Sequence, residues 1–145
     1  MTSQVVVDSG IFLATALAET YSSQAKALVK MWETQNANLV APTLFQYEIV
    51  AVLRKQVNRG LISPADALKE QDYLLDYPVQ LYMNKNLLKR AYELATKYNR
   101  PTAYDSQYLA VAEHLACDFW TADEKMFNAL DKDLPYIKWL GNFTV

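Results

Sequence analysis

Three observations predict an α/β fold for this chain, with a parallel sheet covered by helices on both faces. Short β-branched or aromatic runs, "QVVV" (4–7), "NLVAP" (38–42), "VQLY" (79–82), "CDFWT" (117–121) and "YIKWL" (136–140), alternate with longer amphipathic segments. No two of these runs are joined by a tight hairpin turn, so neighbouring strands need crossovers, and crossovers place helices on the sheet faces. Of the 145 residues, 52% are hydrophobic and only 3 are Gly, which supplies enough apolar surface to cover a sheet on both sides.

Each element has its own local reason. "QVVV" is a buried strand that stops at Asp8, and "IFLATAL" (11–17) is a short helical run. Ser22 or Ser23 is expected to cap a second helix reaching about Gln35, and Pro42 closes the second strand. Thr43 is the expected cap of "LFQYEIVAVLRKQVNRG", which Gly60 stops. Ser63 is the N-cap of the next helix, with Pro64 in its first turn and Asp66 at the positive end of its dipole. Pro78 ends that helix ahead of the third strand, and "NKNLLKRAYELATKYN" (84–99) is amphipathic. Pro101 breaks the chain before a helix over 103–115, and "DEKMFNAL" (123–130) is a short helix before the last strand. With no repeat, linker or low-complexity tract, one unit spanning 1–145 is expected.

Composition narrows the function. A net charge of −2 argues against a polyanion binder held by bulk charge, so any nucleic-acid contact must be local. A single cysteine, Cys117, excludes an internal disulfide and fits a reducing compartment. No segment approaches the ~20 apolar residues of a membrane span and no leader is evident, so a soluble cytoplasmic protein is expected. His114 is the one histidine, which leaves no zinc motif of the usual kind and no Ser-His-Asp triad.

Four acids stand out. Helical neighbours of Glu48 at three and four residues' distance are Leu44, Phe45, Ala51 and Val52, which places its carboxyl within an apolar stripe. The plain alternative is a buried glutamate paired with an Arg or Lys, or a helix turned so that Glu48 reaches water. Asp105 precedes a helix whose Tyr108, Leu109 and Ala112 turn that side inward, although an acid at a helix start is common. Asp8 and Asp123 each follow a strand, at the carboxyl edge where parallel sheets bind ligands, yet each is also an ordinary turn or cap residue. Two carboxylates ~4 Å apart repel by roughly 4 kcal/mol at an effective dielectric of 20, so gathering four requires cations among them. An all-oxygen set suits Mg²⁺ or Mn²⁺ better than zinc.

The blocks "VVVDSG", "APTLFQYEIVAVLRK" and "TAYDSQYLAVAEHLACDFWTADEKMF" resemble the successive motifs of a PIN domain, with the nearest likeness to the small VapC-type toxins of toxin–antitoxin pairs. The resemblance covers essentially the whole chain. It implies a three-layer α/β/α fold with a five-stranded parallel sheet and a metal-dependent endoribonuclease. It further implies that Asp8, Glu48, Asp105 and Asp123 surround one or two Mg²⁺ or Mn²⁺ ions, with Asp8 and Asp105 the first choice for direct ligands. Thr121 matches the supporting hydroxyl position and Ser9 the small polar residue after the first acid. Expected partners are an RNA substrate, a cognate antitoxin and a second copy of the chain.

Basic side chains could guide RNA past an acidic pocket. Lys85, Lys89, Arg90 and Arg100 in 85–100, and Arg54 on the preceding helix pair, are the candidates, against the plain reading of solvated helix faces. Two alternatives compete with the nuclease reading. A receiver-like signalling domain shares an acid after its first strand but needs one after its third, where "YMNKN" has none. A catalytically silent interaction protein would keep the fold and has no need of four intact acids.

Overall fold

The computed structural model describes residues 3–145, so the first two residues of the expected 1–145 unit lie outside the described residues. Five strands, β1 (Gln4–Val7), β2 (Asn38–Ala41), β3 (Gln80–Leu81), β4 (Asp118–Thr121) and β5 (Ile137–Trp139), form one parallel sheet in the order β3-β2-β1-β4-β5. The register sets Val5 beside Leu39 on one side and Asp118 on the other. The chain runs outward from β1 to β3 and then crosses back to β4, so strand order reverses between β1 and β4. Ligands gather at the carboxyl edge of such a reversal. This order also excludes the receiver-like alternative, whose doubly wound sheet runs 2-1-3-4-5.

Seven α-helices cover the sheet among the described residues: α1 (Ser9–Ala16), α2 (Ser22–Thr34), α3 (Leu44–Asn58), α4 (Pro64–Asp76), α5 (Lys85–Lys97), α6 (Ser106–Leu115) and α7 (Glu124–Leu130). Strand residues Val6, Val7, Val40, Ala41 and Phe119 are almost wholly buried, and so are Ile11, Phe12, Phe45, Ile49, Leu53, Leu109 and Val111 from the helices above them. Each large apolar side chain so buried stabilises the fold by about 1.5–3 kcal/mol. Phe12 and Phe45 meet edge to face at 5.6 Å, which locks α1 against α3.

Several local expectations need correction. Thr43 stands at the N-cap of α3, but its backbone is already helical (φ −57°, ψ −25°) and its side chain makes no capping bond. Ser22 is the first residue of α2 rather than its side-chain cap. Its Oγ instead accepts from Glu19 N at 2.9 Å and donates to Leu17 O at 2.8 Å, tying the preceding loop. The helix expected from 103 starts at Ser106. Glu48 is not central to a buried stripe: the buried row of α3 is Phe45, Ile49 and Leu53, and Glu48 lies partly buried at its edge, with Ala51 exposed. The cap at Ser63 is as expected, with its side chain accepting from Asp66 N at 3.1 Å.

Ser63→Ala is therefore expected to cost ~1 kcal/mol, a fall of ~2–4 °C in Tm. Thr43→Ala, which removes no capping bond, is expected to leave Tm within about 1 °C. Paired thermal melts check both.

Candidate functional site

Asp8 is placed by the sheet reversal itself. The chain leaves β1 extended (φ −87°, ψ 162°) and enters α1 at once, which makes Asp8 the N-cap, with Oδ1 accepting from Ile11 N at 3.1 Å. Its Oδ2 accepts from Thr121 Oγ1 and, at 3.2 Å, from Ala122 N. Thr121 is fully buried at the end of β4, and its hydroxyl also accepts from Asp123 N at 3.0 Å. Asp123 is exposed, caps α7 and accepts from Met126 N at 3.0 Å through Oδ1. Thr121 thus joins the two strand-end acids without either acid touching the other through a hydrogen bond.

Glu48 reaches the same edge from the second turn of α3. Its Oε1 accepts from Tyr108 OH at 2.5 Å and from Ser9 Oγ at 3.2 Å. Tyr108 OH in turn accepts from Ser9 N at 3.4 Å, and its ring stacks on Phe119 with centroids 5.3 Å apart and planes at 13°. Asp105 stands just ahead of α6, a helix that runs back toward the start of β4 and so begins at the carboxyl edge. It makes no capping bond. Instead Oδ2 accepts from Arg100 Nη2 at 2.8 Å and Nε at 3.2 Å, while Oδ1 is buried with no hydrogen-bond partner among the described residues.

The electrostatics connect three of the four acids. Burial pushes Asp8 up to about 7, against donors on Thr121, Ile11 and Ala122 that favour its charged form, and the charge of Glu48 adds to the rise. Burial also raises Glu48, opposed by Tyr108 and Ser9 and reinforced by the charge of Asp105. Burial pushes the Tyr108 phenol up well beyond its usual range, so it stays a donor to Glu48. Asp8, Glu48 and Asp105 therefore share one field. Even so, among the described residues no three His, Cys, Asp or Glu side chains converge closely enough to form a ready metal cage.

The basic candidates separate. Lys85, Lys89 and Arg54 are exposed. Arg90 is engaged elsewhere, with Nε and Nη2 each 2.8 Å from a different oxygen of Glu113 and Nη1 3.0 Å from Glu93. Arg100 lies inside the acid site as the partner of Asp105, rather than on an open rim. Three further residues matter that sequence reasoning did not assign to the site. Tyr108 reads as a core aromatic, and nothing local signals its bond to Glu48. Ala122 contributes only a backbone donor. A Cβ at Gly10 would meet Ala122 Cβ at 3.0 Å and Asp8 Oδ1 at 3.2 Å, so the glycine in "VVVDSG" makes room where α1 passes β4.

Two stability outcomes follow. A carboxyl whose pKa is raised on folding binds its proton more tightly in the native state. The stability this brings is full below about pH 4 and is lost as pH rises through about 7. Without divalent ions, Tm should fall across this window, and Asp8→Asn should flatten the fall in melts taken from pH 4 to 8. Asp105→Asn should instead lose ~1–2 kcal/mol at pH 7, because the largely buried Arg100 guanidinium then faces a neutral amide in place of its carboxylate. That figure is reduced for the 27% exposure of the Asp105 side chain. Urea unfolding of the metal-free protein checks it.

Known proteins share both sequence and fold with this chain. It is 29% identical over 125 residues to Ribonuclease VapC3 of Pyrobaculum aerophilum, covering 85% of this chain and 92% of that protein. It is 30% identical over 131 residues to VapC ribonuclease Mb0985 of Mycobacterium bovis, covering 90% of this chain and 94% of that protein. The crystal structure of Mycobacterium tuberculosis VapC20, a toxin that cleaves the sarcin–ricin loop, superposes with a TM-score of 0.67 at 15% identity. The match covers 87% of this chain and 95% of that one, and is a likeness of fold. Residues 5–133, from β1 through α7, match the PIN domain, and the chain belongs to the PIN domain family.

Proposed function

We propose that this chain is a metal-dependent endoribonuclease, the toxin of a toxin–antitoxin pair, and that it hydrolyses RNA phosphodiester bonds at Asp8, Glu48, Asp105 and Asp123. The observation that carries this reading is the set of mutually repelling carboxylates at the β1/β4 reversal, in a chain whose relatives are named ribonucleases. The donor set fits a hard divalent cation: the side chains are carboxylates, and one buried oxygen, Asp105 Oδ1, has no hydrogen-bond partner among the described residues. Mg²⁺ or Mn²⁺ would be held by Asp8 and Asp105, with Glu48 and Asp123 completing the surroundings. When bound, such a cation supplies Lewis acidity toward a phosphate and acidifies water.

The protein's own share of the chemistry is orientation. Thr121 Oγ1 and Ala122 N fix Asp8 Oδ2, so this carboxylate cannot swing away from the sheet edge. Tyr108 and Ser9 aim Glu48 by holding Oε1. In-line attack of water on the phosphorus would leave a 5′-phosphate and a 3′-hydroxyl. Exposed Lys85, Lys89 and Arg54 would offset the repulsion between an acidic edge and a polyanion. An antitoxin protein and a second copy of the chain are the proposed partners, and the cytoplasm the proposed location. No helix among the described residues is long and apolar enough to cross a membrane.

The test is cleavage of total RNA by the purified chain with Mn²⁺, with Mg²⁺ and with EDTA. Discrete bands should appear with metal, vanish in EDTA, and be absent for Asp8→Asn and Asp105→Asn. Wild-type banding in either variant would remove the acids from the site.

A further inference from the structure

The chain between α5 and α6 is built to deliver one guanidinium. α5 ends in a backbone-capped turn: Asn99 takes a left-handed φ of 51°, Asn99 N donates to Thr96 O at 3.3 Å and Arg100 N to Ala95 O at 2.8 Å. Pro101 follows and restricts its own φ and the backbone of Arg100. The Arg100 backbone is therefore fixed, and its side chain, 15% exposed, crosses five residues to Asp105.

The contact it makes differs from the pairing of Arg90 with Glu113. Arg90 meets Glu113 as a complete fork, one nitrogen on each oxygen. Arg100 instead places both Nε and Nη2 on the same oxygen of Asp105, at 3.2 and 2.8 Å, and leaves the buried Oδ1 without a partner. Two donors occupy the roughly two lone-pair positions of Oδ2, so a cation cannot share it. A guanidinium and a divalent cation on one carboxylate would also repel each other.

We propose that Arg100 is a built-in counter-ion, which keeps Oδ2 of Asp105 from a divalent cation and opposes by its charge the binding of one at the unpartnered Oδ1. Metal affinity is then set from within the chain, by a positioning residue that competes with the ion. Arg100 belongs to the site through its effect on Asp105 and not as an RNA contact on a basic rim. The proposal rests on the reading of Asp8, Glu48 and Asp105 as cation ligands.

Calorimetric titration of Mn²⁺ into the full chain, in the absence of RNA, separates the possibilities. The proteins compared are wild type, Arg100→Met, Arg100→Lys and, as a blank, Asp105→Asn. Removing a charge-assisted competitor should tighten Mn²⁺ binding about tenfold in Arg100→Met. Arg100→Lys, which keeps the charge but not the two-nitrogen contact, should fall between, and it preserves the comparison if Arg100→Met does not fold. Melts should show Arg100→Met less stable than wild type in EDTA and gaining more on addition of Mn²⁺. Equal or weaker binding in both Arg100 variants, with wild type still binding, would overturn the counter-ion and reduce Arg100 to a loop support while leaving the acid site intact. No binding above the blank in any of the three would overturn the cation reading of the acids and this proposal with it.

Discussion

One carboxylate oxygen ties the carboxyl edge of the sheet together. Asp8 Oδ2 accepts from Thr121 Oγ1 and Ala122 N, groups 113 and 114 residues away in sequence. The sheet makes this possible: β1 lies directly beside β4, Val7 is in register with Trp120, and Asp8 N continues the ladder to Trp120 O at 3.1 Å. Two strands therefore end side by side, and their first loop residues face each other. Thr121 then passes the constraint on to Asp123 through the backbone. Remove this tie and the edge keeps its residues but loses their arrangement.

The same edge is where the fold works against its own stability. Hydrophobic burial is abundant beneath it, in Val5–Val7, Leu39–Ala41 and Phe119. That surplus offsets the cost of carboxylates that burial and mutual repulsion would rather protonate. The side-chain hydroxyls that hold Asp8 and Glu48 all come from buried residues: Thr121, Ser9 and Tyr108. These hydroxyls are held by packing, and the cost of the buried carboxylates is offset by the core beneath them.

What the sequence revealed and what it hid divide along physical lines. Strands, proline and glycine stops, and the Ser63 cap were legible because each rests on local preference. Asp8 and Asp123 were legible as strand-end acids because parallel sheets expose their carboxyl edges. Glu48 was noticed through its apolar neighbours, yet the buried row passes through Phe45, Ile49 and Leu53. A periodicity of 3.6 does not distinguish the centre of a stripe from its edge when both are lined by apolar residues. Thr43 misled because capping depends on backbone dihedrals that composition does not encode. Tyr108 and the Arg100–Asp105 pair were hidden for another reason. A tyrosine in an apolar helix, and an arginine in a basic stretch, have meaning only through partners brought in by the fold.

The parallel topology also has a consequence for synthesis. β1 precedes the other four strands in sequence and sits at the centre of the sheet, but one of its two neighbours, β4, is supplied by residues 118–121. Antiparallel neighbours could pair through a nearby turn, whereas this central strand must wait while more than a hundred residues are polymerised. Until Thr121 and Ala122 emerge and pair, Asp8 has nothing to hold Oδ2, and Tyr108 has no Phe119 to stack on. An incomplete chain on the ribosome therefore carries every residue of α3 and α5 and still has no organised edge. The order of the strands delays this arrangement of Asp8 and Tyr108 until β4 has been made.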